Sequence, residues 1–256
     1  MKFAFDNGWR ATVTNEPLPL LPRFFGTTVH VVPYANVVER ERFLVDTFGS
    51  QDWLLDDWDV LRFDPTSRQL VGFEFTLSED SAAARDAARV PAVPAVRPGG
   101  LRADEMREFR QSPATVLCRA PGDAVLTCLR DLDVLDEPLQ ARVGIAPDVA
   151  LLVQHDTVVG WSLTDPARYL THPHTDPDPA PPSTTTRQLF TECMNLITTP
   201  LVYEVEDGEP AALARLRAAD EALHGQREDR QRADALVEIL STMVHHYLDG
   251  PSKGNP

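Results

Sequence analysis

At 256 residues, with 43% apolar and 25% charged side chains, the chain has ordinary globular composition and enough length to bury a sizeable core. The formal net charge of −15 argues against nucleic acid as a partner, because phosphate binding needs clustered cations and the arginines form no basic run. Lys2 and Lys253 are the only lysines, which leaves none inside the chain for a Schiff base, a pyridoxal-phosphate linkage, a P-loop or a kinase-type ATP site.

Neither GxxxxGK[ST] nor GxGxxG nor GxSxG occurs, so nucleotide-driven chemistry of the common types is not expected, and no cofactor is. The start, "MKFAFDNGWRATVTNEP", lacks the basic lead and unbroken apolar run of a signal peptide, and no stretch reaches the length of a membrane span. The expectation is a cytoplasmic protein with no membrane partner. Cys118, Cys128 and Cys193 are scattered among apolar neighbours and form no CxxC pair, which reads as buried reduced thiols rather than a thiolate metal site.

The first strand candidate in chain order is 26–34, "GTTVHVVPY". Asn36 then supplies an N-cap and Glu39 a capping box for a helix in which Leu44 and Phe48 share a face and Gly49 ends it. Residues 59–77 form a hairpin: Leu61, Phe63, Val71, Phe73, Phe75 and Leu77 supply an apolar side, and Asp64 to Ser67 the turn. Arg62 and Glu74 lie on its other side, where adjacent strands would let them pair.

Residues 81–100, rich in Ala and Pro, read as a connector. Strand candidates at 114–120, 124–132 and 139–145 follow, then a second hairpin over 148–163 with its turn near His155 and Asp156. The stretch 172–186, "HPHTDPDPAPPSTTT", carries His172, His174, Asp176 and Asp178. Its prolines hold it extended, so histidines two apart need not face one way, and it reads as a linker rather than a metal site.

Helical periodicity fills the C-terminal quarter, at 186–198, 210–224 and 227–248. Those apolar stripes need a partner surface, either the β-rich body or a second copy of the chain in a homodimer. His245 and His246 fall away from the last stripe and read as solvated. The tail 250–256 has nothing to bury and is expected to be disordered.

The fold class expected is therefore α+β: a mostly antiparallel β-rich body of two hairpin-containing halves (1–80 and 101–171), as a curved sheet or barrel, followed by a helical part at 187–249. Candidate catalytic residues are Glu74, His30, His155 and Asp156, since a strand histidine, a strand carboxylate and a His–Asp turn suit proton transfer. Candidate ligand-binding residues are Arg62, Phe73, Trp161, His172 and His174. For each there is a plainer reading: wet sheet face, satisfied core histidine, ordinary turn.

The function expected is metal- and nucleotide-independent acid–base chemistry on an apolar small molecule in a β-rich pocket, of isomerase, lyase or cyclase type. The alternative is a non-catalytic acidic protein, of inhibitor or immunity type, that captures a basic partner with the carboxylates at 52–59, 131–137 and 204–209.

Overall fold

A strand that alternates apolar and polar residues gives its sheet one face that must be covered. In the computed structural model, which describes residues 1–5, 8–50, 59–109 and 111–248, the strands meet this need by packing two sheets together. Most of the acidic stretch 52–59 and the tail 250–256 lie outside the described residues.

The larger sheet runs β8 (Val96–Pro98), β12 (Ala141–Ala146), β13 (Val149–Gln154), β14 (Thr157–Thr164), β1 (Lys2–Ala4), β2 (Arg10–Val13), β9 (Leu101–Ala103). β11 (Val125–Leu129) also pairs with β14, and β10 (Val116–Arg119) with β11. Pairing is antiparallel except at β1–β14 and β8–β12. The smaller sheet runs β3 (Arg23–Phe25), β4 (Thr28–Val31), β7 (Leu70–Thr76), β6 (Val60–Phe63), β5 (Phe48–Gly49), antiparallel throughout. The fold is α+β as expected; among the described residues the β-rich body forms two sheets, and no closed barrel is found.

Both expected hairpins form, each for a local reason. Between β6 and β7, Asp64 Oδ1 accepts from the backbone N–H of Thr66 and Ser67, and these bonds hold its carboxyl below the usual carboxylate range. Between β13 and β14, His155 and Asp156 take φ of 50° and 56°, the geometry of a two-residue type I′ turn.

The facing surfaces are aromatic. Phe75 stacks on Trp161 at 5.2 Å and on Phe73 at 4.6 Å, and Trp9 meets Phe63 at 5.1 Å. The same buried cluster continues into the C-terminal helices through Phe190, Cys193, Leu216, Leu236 and Leu240, so the helical stripes find their partner in the β-rich body. These helices are α3 (Thr184–Leu196), α4 (Leu201–Glu206), α5 (Pro210–Gly225) and α6 (Arg230–Met243), preceded in the chain by α1 (Val37–Asp46) and α2 (Ala84–Ala87). No helix among the described residues is long and apolar enough to cross a membrane.

Several boundaries differ from those expected. α1 keeps its Asn36 cap, with Glu39 reaching back to the N–H of Ala35, but it stops at Asp46; Phe48 opens β5 and is buried 5.8 Å from Phe63. Segment 81–100 holds α2, with Ala82, Ala87 and Val90 against a second apolar cluster, and β8, which extends the large sheet beside β12. α6 starts only after Asp229, which sits at φ 59° and accepts from Ser183 N and Thr186 Oγ1.

One position shows how tightly the large sheet is drawn. The same edge of β14 serves β1 at Thr157 and β11 from Gly160 onward, and a Cβ on Gly160 would lie 2.2 Å from the Cys128 carbonyl oxygen. Backbone cannot yield there as a flexible side chain could. Gly160→Ala is expected to destabilise the protein by about 1–3 kcal/mol, seen as a lower urea midpoint; an unchanged midpoint would contradict this packing.

Candidate functional site

Alternation on the small sheet sends Phe24, Val29, Val31, Phe73 and Phe75 inward and leaves Arg23, Thr28, His30 and Glu74 on the outer face. The register places His30 directly opposite Glu74 on β7 and Arg23 on β3. This face is not open water: α1 lies across it, with the Phe43 ring seated on Gly72, where a Cβ would come within 2.9 Å of it.

Arg62 was expected to pair with Glu74 and bind ligand; its guanidinium instead closes the end of α1. It is 1% exposed and donates to the carbonyls of Leu44 (2.7 Å) and Thr47 and to Thr47 Oγ1 (2.9 Å). A cation on the last carbonyls of a helix satisfies groups that lack intrahelical partners.

Glu74 turns to other groups. Tyr34 Oη donates to its Oε1, and Arg40 Nε lies 3.5 Å from the same oxygen. Both contacts use one carboxylate oxygen, which leaves Oε2 for a proton or a ligand. The Glu74 side chain is only 15% exposed, so its charge acts in a poorly screened setting. Burial, and then Glu74 itself, raises the Tyr34 phenol, which therefore keeps its proton and acts as the donor.

Thr28 Oγ1 lies 3.0 Å from the Phe25 carbonyl oxygen and 2.7 Å from His30 Nε2, and its one hydroxyl hydrogen serves one of the two. When it serves the carbonyl, the imidazole donates from Nε2 and Nδ1 carries the lone pair. Nδ1 is buried and without a hydrogen-bond partner. Burial lowers the His30 pKa, against an opposing pull from Glu74.

The histidine-rich stretch is strapped down from two directions. Arg23 donates to the Pro173 carbonyl at 3.3 Å and pairs with Asp176 at 2.8 Å. From α6, Gln231 donates to the Asp176 carbonyl and Arg232 to those of Asp178 and Ala180. The strap carries the partly buried His174 ring to 6.3 Å from Tyr34, while His172 stays exposed 6.0 Å from Phe25. His174 Nδ1 also lacks a partner.

His30, Glu74 and His174 are thus brought together, with Tyr34, Arg40 and Thr28, which sequence reasoning did not single out. The remaining candidates lie elsewhere. Phe73 belongs to the aromatic core. His155 and Asp156 occupy the β13–β14 turn on the other sheet; His155 is 74% exposed beside Glu137, and Asp156 is bonded to Gln140. Trp161 is in the core and, with Gln111, lines a cleft of about 20 Å³; its indole Nε1 and the Gln111 Oε1 are buried without a hydrogen-bond partner. An orphaned buried polar atom costs about 1–3 kcal/mol.

Among the described residues, no three His, Cys, Asp or Glu side chains are grouped as metal ligands. All three thiols are buried, and burial pushes Cys118 up to about 11, Cys193 up to about 12 and Cys128 well above its usual value, which disfavours thiolate chemistry at neutral pH.

The depressed pKa of His30 has a definite sign in stability. Below the ordinary histidine value the unfolded chain takes up a proton that the folded chain refuses, so stability is lost as pH falls through that window to the folded pKa. The urea midpoint is expected to fall between pH 7.5 and 5.5, and His30→Gln, which cannot titrate, should flatten that fall; parallel curves for the two proteins would contradict the assignment.

Compared with known protein families, curated proteins and solved structures, the chain matches none.

Proposed function

We propose that the protein binds a small molecule at the outer face of the small sheet and transforms it by proton transfer, in a reaction of isomerase, lyase or cyclase type that needs neither metal nor nucleotide. The observation that carries this reading is the cross-strand pair of His30 and Glu74, tied to Tyr34 and Arg40 and faced by His174.

Acid–base catalysis needs an acceptor and a donor held close together in opposite protonation states. In the Nε2-protonated tautomer of His30, the acceptors are the lone pair on its Nδ1 and the second oxygen of Glu74, and the donor is the Tyr34 hydroxyl. Arg40 supplies positive charge at the rim, where its side chain is 44% exposed and able to meet a developing oxyanion. His174 stands on the strap side, its ring 6.3 Å from that of Tyr34.

The reading departs from the sequence expectation in one respect. The aromatic side chains fill the space between the sheets, so the proton-transfer groups sit outside that core, beneath α1.

A panel of small hydroxy, keto and carboxylic acids, screened by thermal shift and then by proton-exchange NMR in deuterated buffer, tests the proposal. At least one compound should stabilise the wild type and exchange a carbon-bound proton. Glu74→Gln should slow that exchange by about 10²–10⁴-fold, the usual contribution of a positioned base. Exchange at the same rate in wild type and Glu74→Gln, or no compound bound at all, would overturn it.

A further inference from the structure

The outer face of the large sheet, turned away from the aromatic core, holds a hollow of its own. Along β14, Trp161 and Leu163 belong to the buried core, so alternation sends Ser162 and Thr164 to the other side. There they line a cleft of about 470 Å³, within the range of small-molecule sites. Gly144, Ala146 and Ala150 leave the space open because none carries more than a methyl group, and Leu18 and Val96 add apolar walls. The Leu18 wall is anchored, since its N–H donates to the Ile145 carbonyl at 2.8 Å.

Three side-chain groups bring oxygen to this apolar cleft. Ser162 is 1% exposed, yet its hydroxyl makes no hydrogen bond with any described residue. A buried hydroxyl is nearly always satisfied, so one that lines a cleft unbonded calls for a guest. Thr164, two residues along on the same face, adds a second hydroxyl. Asp148 lies across from Thr164, whose N–H donates to the Asp148 carbonyl at 2.9 Å, and the next pair along is Ala150 with Ser162. Tyr169 Oη donates to Asp148 Oδ2 at 2.5 Å, which leaves Oδ1 for a guest.

The charge at the cleft has one sign. Asp148 is the only charged residue that lines it, and no cationic side chain does so among the described residues. An anionic guest would meet that carboxylate with nothing to offset it, in a chain whose net charge is −15. An alcohol brings a single donor. A primary ammonium brings three donors and no acceptor, which matches a carboxylate oxygen and two hydroxyls.

We infer that this cleft binds a primary amine with an apolar body, its ammonium donating to Asp148 Oδ1 and to the hydroxyls of Ser162 and Thr164. The carbon skeleton lies over Gly144, Ala146 and Ala150, between Leu18 and Val96.

The probe is 2-phenylethylamine, titrated into the full chain and read through the Ala150 and Ser162 amide signals in a ¹H–¹⁵N spectrum. It should shift both saturably, while 2-phenylethanol and 3-phenylpropanoate, of similar shape, should bind at least about tenfold more weakly. Asp148→Asn, which keeps a residue type that tolerates the φ of 58° here, should weaken the amine by about three- to tenfold and leave the alcohol unchanged. Ser162→Ala removes a hydroxyl that bonds nothing in the protein, so it should fold as the wild type does and bind the amine about threefold more weakly. Signals that the amine leaves unmoved would overturn the inference, as would an alcohol or carboxylate that binds as tightly, or full amine affinity in both variants. Because the cleft shares no residue with the His30–Glu74 pair, Glu74→Gln should bind the amine unchanged; loss of binding there would place the amine at the other site and also overturn it.

Discussion

A sheet covered on both faces cannot leave its polar side chains to water, and the small sheet of this protein is covered on both. Its inner face meets the large sheet through aromatic rings, and its outer face lies under α1 and the strap at 172–180. Every charged or polar residue on that outer face must therefore find a partner in what covers it. Arg62 closes the end of α1, Arg23 holds the strap, and Glu74 draws in Tyr34 and Arg40. The polar cluster and the elements covering it hold one another in place. His30 Nδ1 and His174 Nδ1 receive no partner, and unpaired groups beside a tied-down polar cluster are where chemistry is to be sought.

Much of the architecture was legible because its causes are local. The two hairpins were readable from alternation and turn residues, and α1 from Asn36 and Glu39, since a turn or a cap is decided within four or five residues. What could not be read depends on distant partners. β8, three exposed residues ending in proline, has no period of its own and exists because β12 offers it an edge. Leu44 and Phe48 have helical spacing, yet Phe48 leaves the helix because β6 offers both an edge and the Phe63 ring. α4 is only six residues long, too short for two turns of amphipathic pattern to show.

The site was legible by half, and the division is physical. His30 and Glu74 were singled out as polar residues on apolar strands, which alternation alone shows. Their partnership needed β4 to pair with β7, a contact across more than forty residues that no turn announces. The contacts of Arg62 were hidden for the same reason, since it reaches the carbonyls of Leu44 and Thr47 at the end of α1, which no strand pattern announces. The strap looked like a linker because proline and histidine dominate it; the residues that tie it, Gln231 and Arg232, lie more than fifty positions away. Tyr34 carried one faint signal, an aromatic side chain just after Pro33 and two residues before the α1 cap.

The central claim is that Glu74 and His30 form one electrostatic unit, in which the carboxylate holds up a histidine pKa that burial alone would depress further. Imidazole NMR titration of His30 in the wild type and in Glu74→Gln tests it most directly. Removing the negative charge should move the His30 midpoint to lower pH. A His30 midpoint that stays where it was, or rises, would contradict the account.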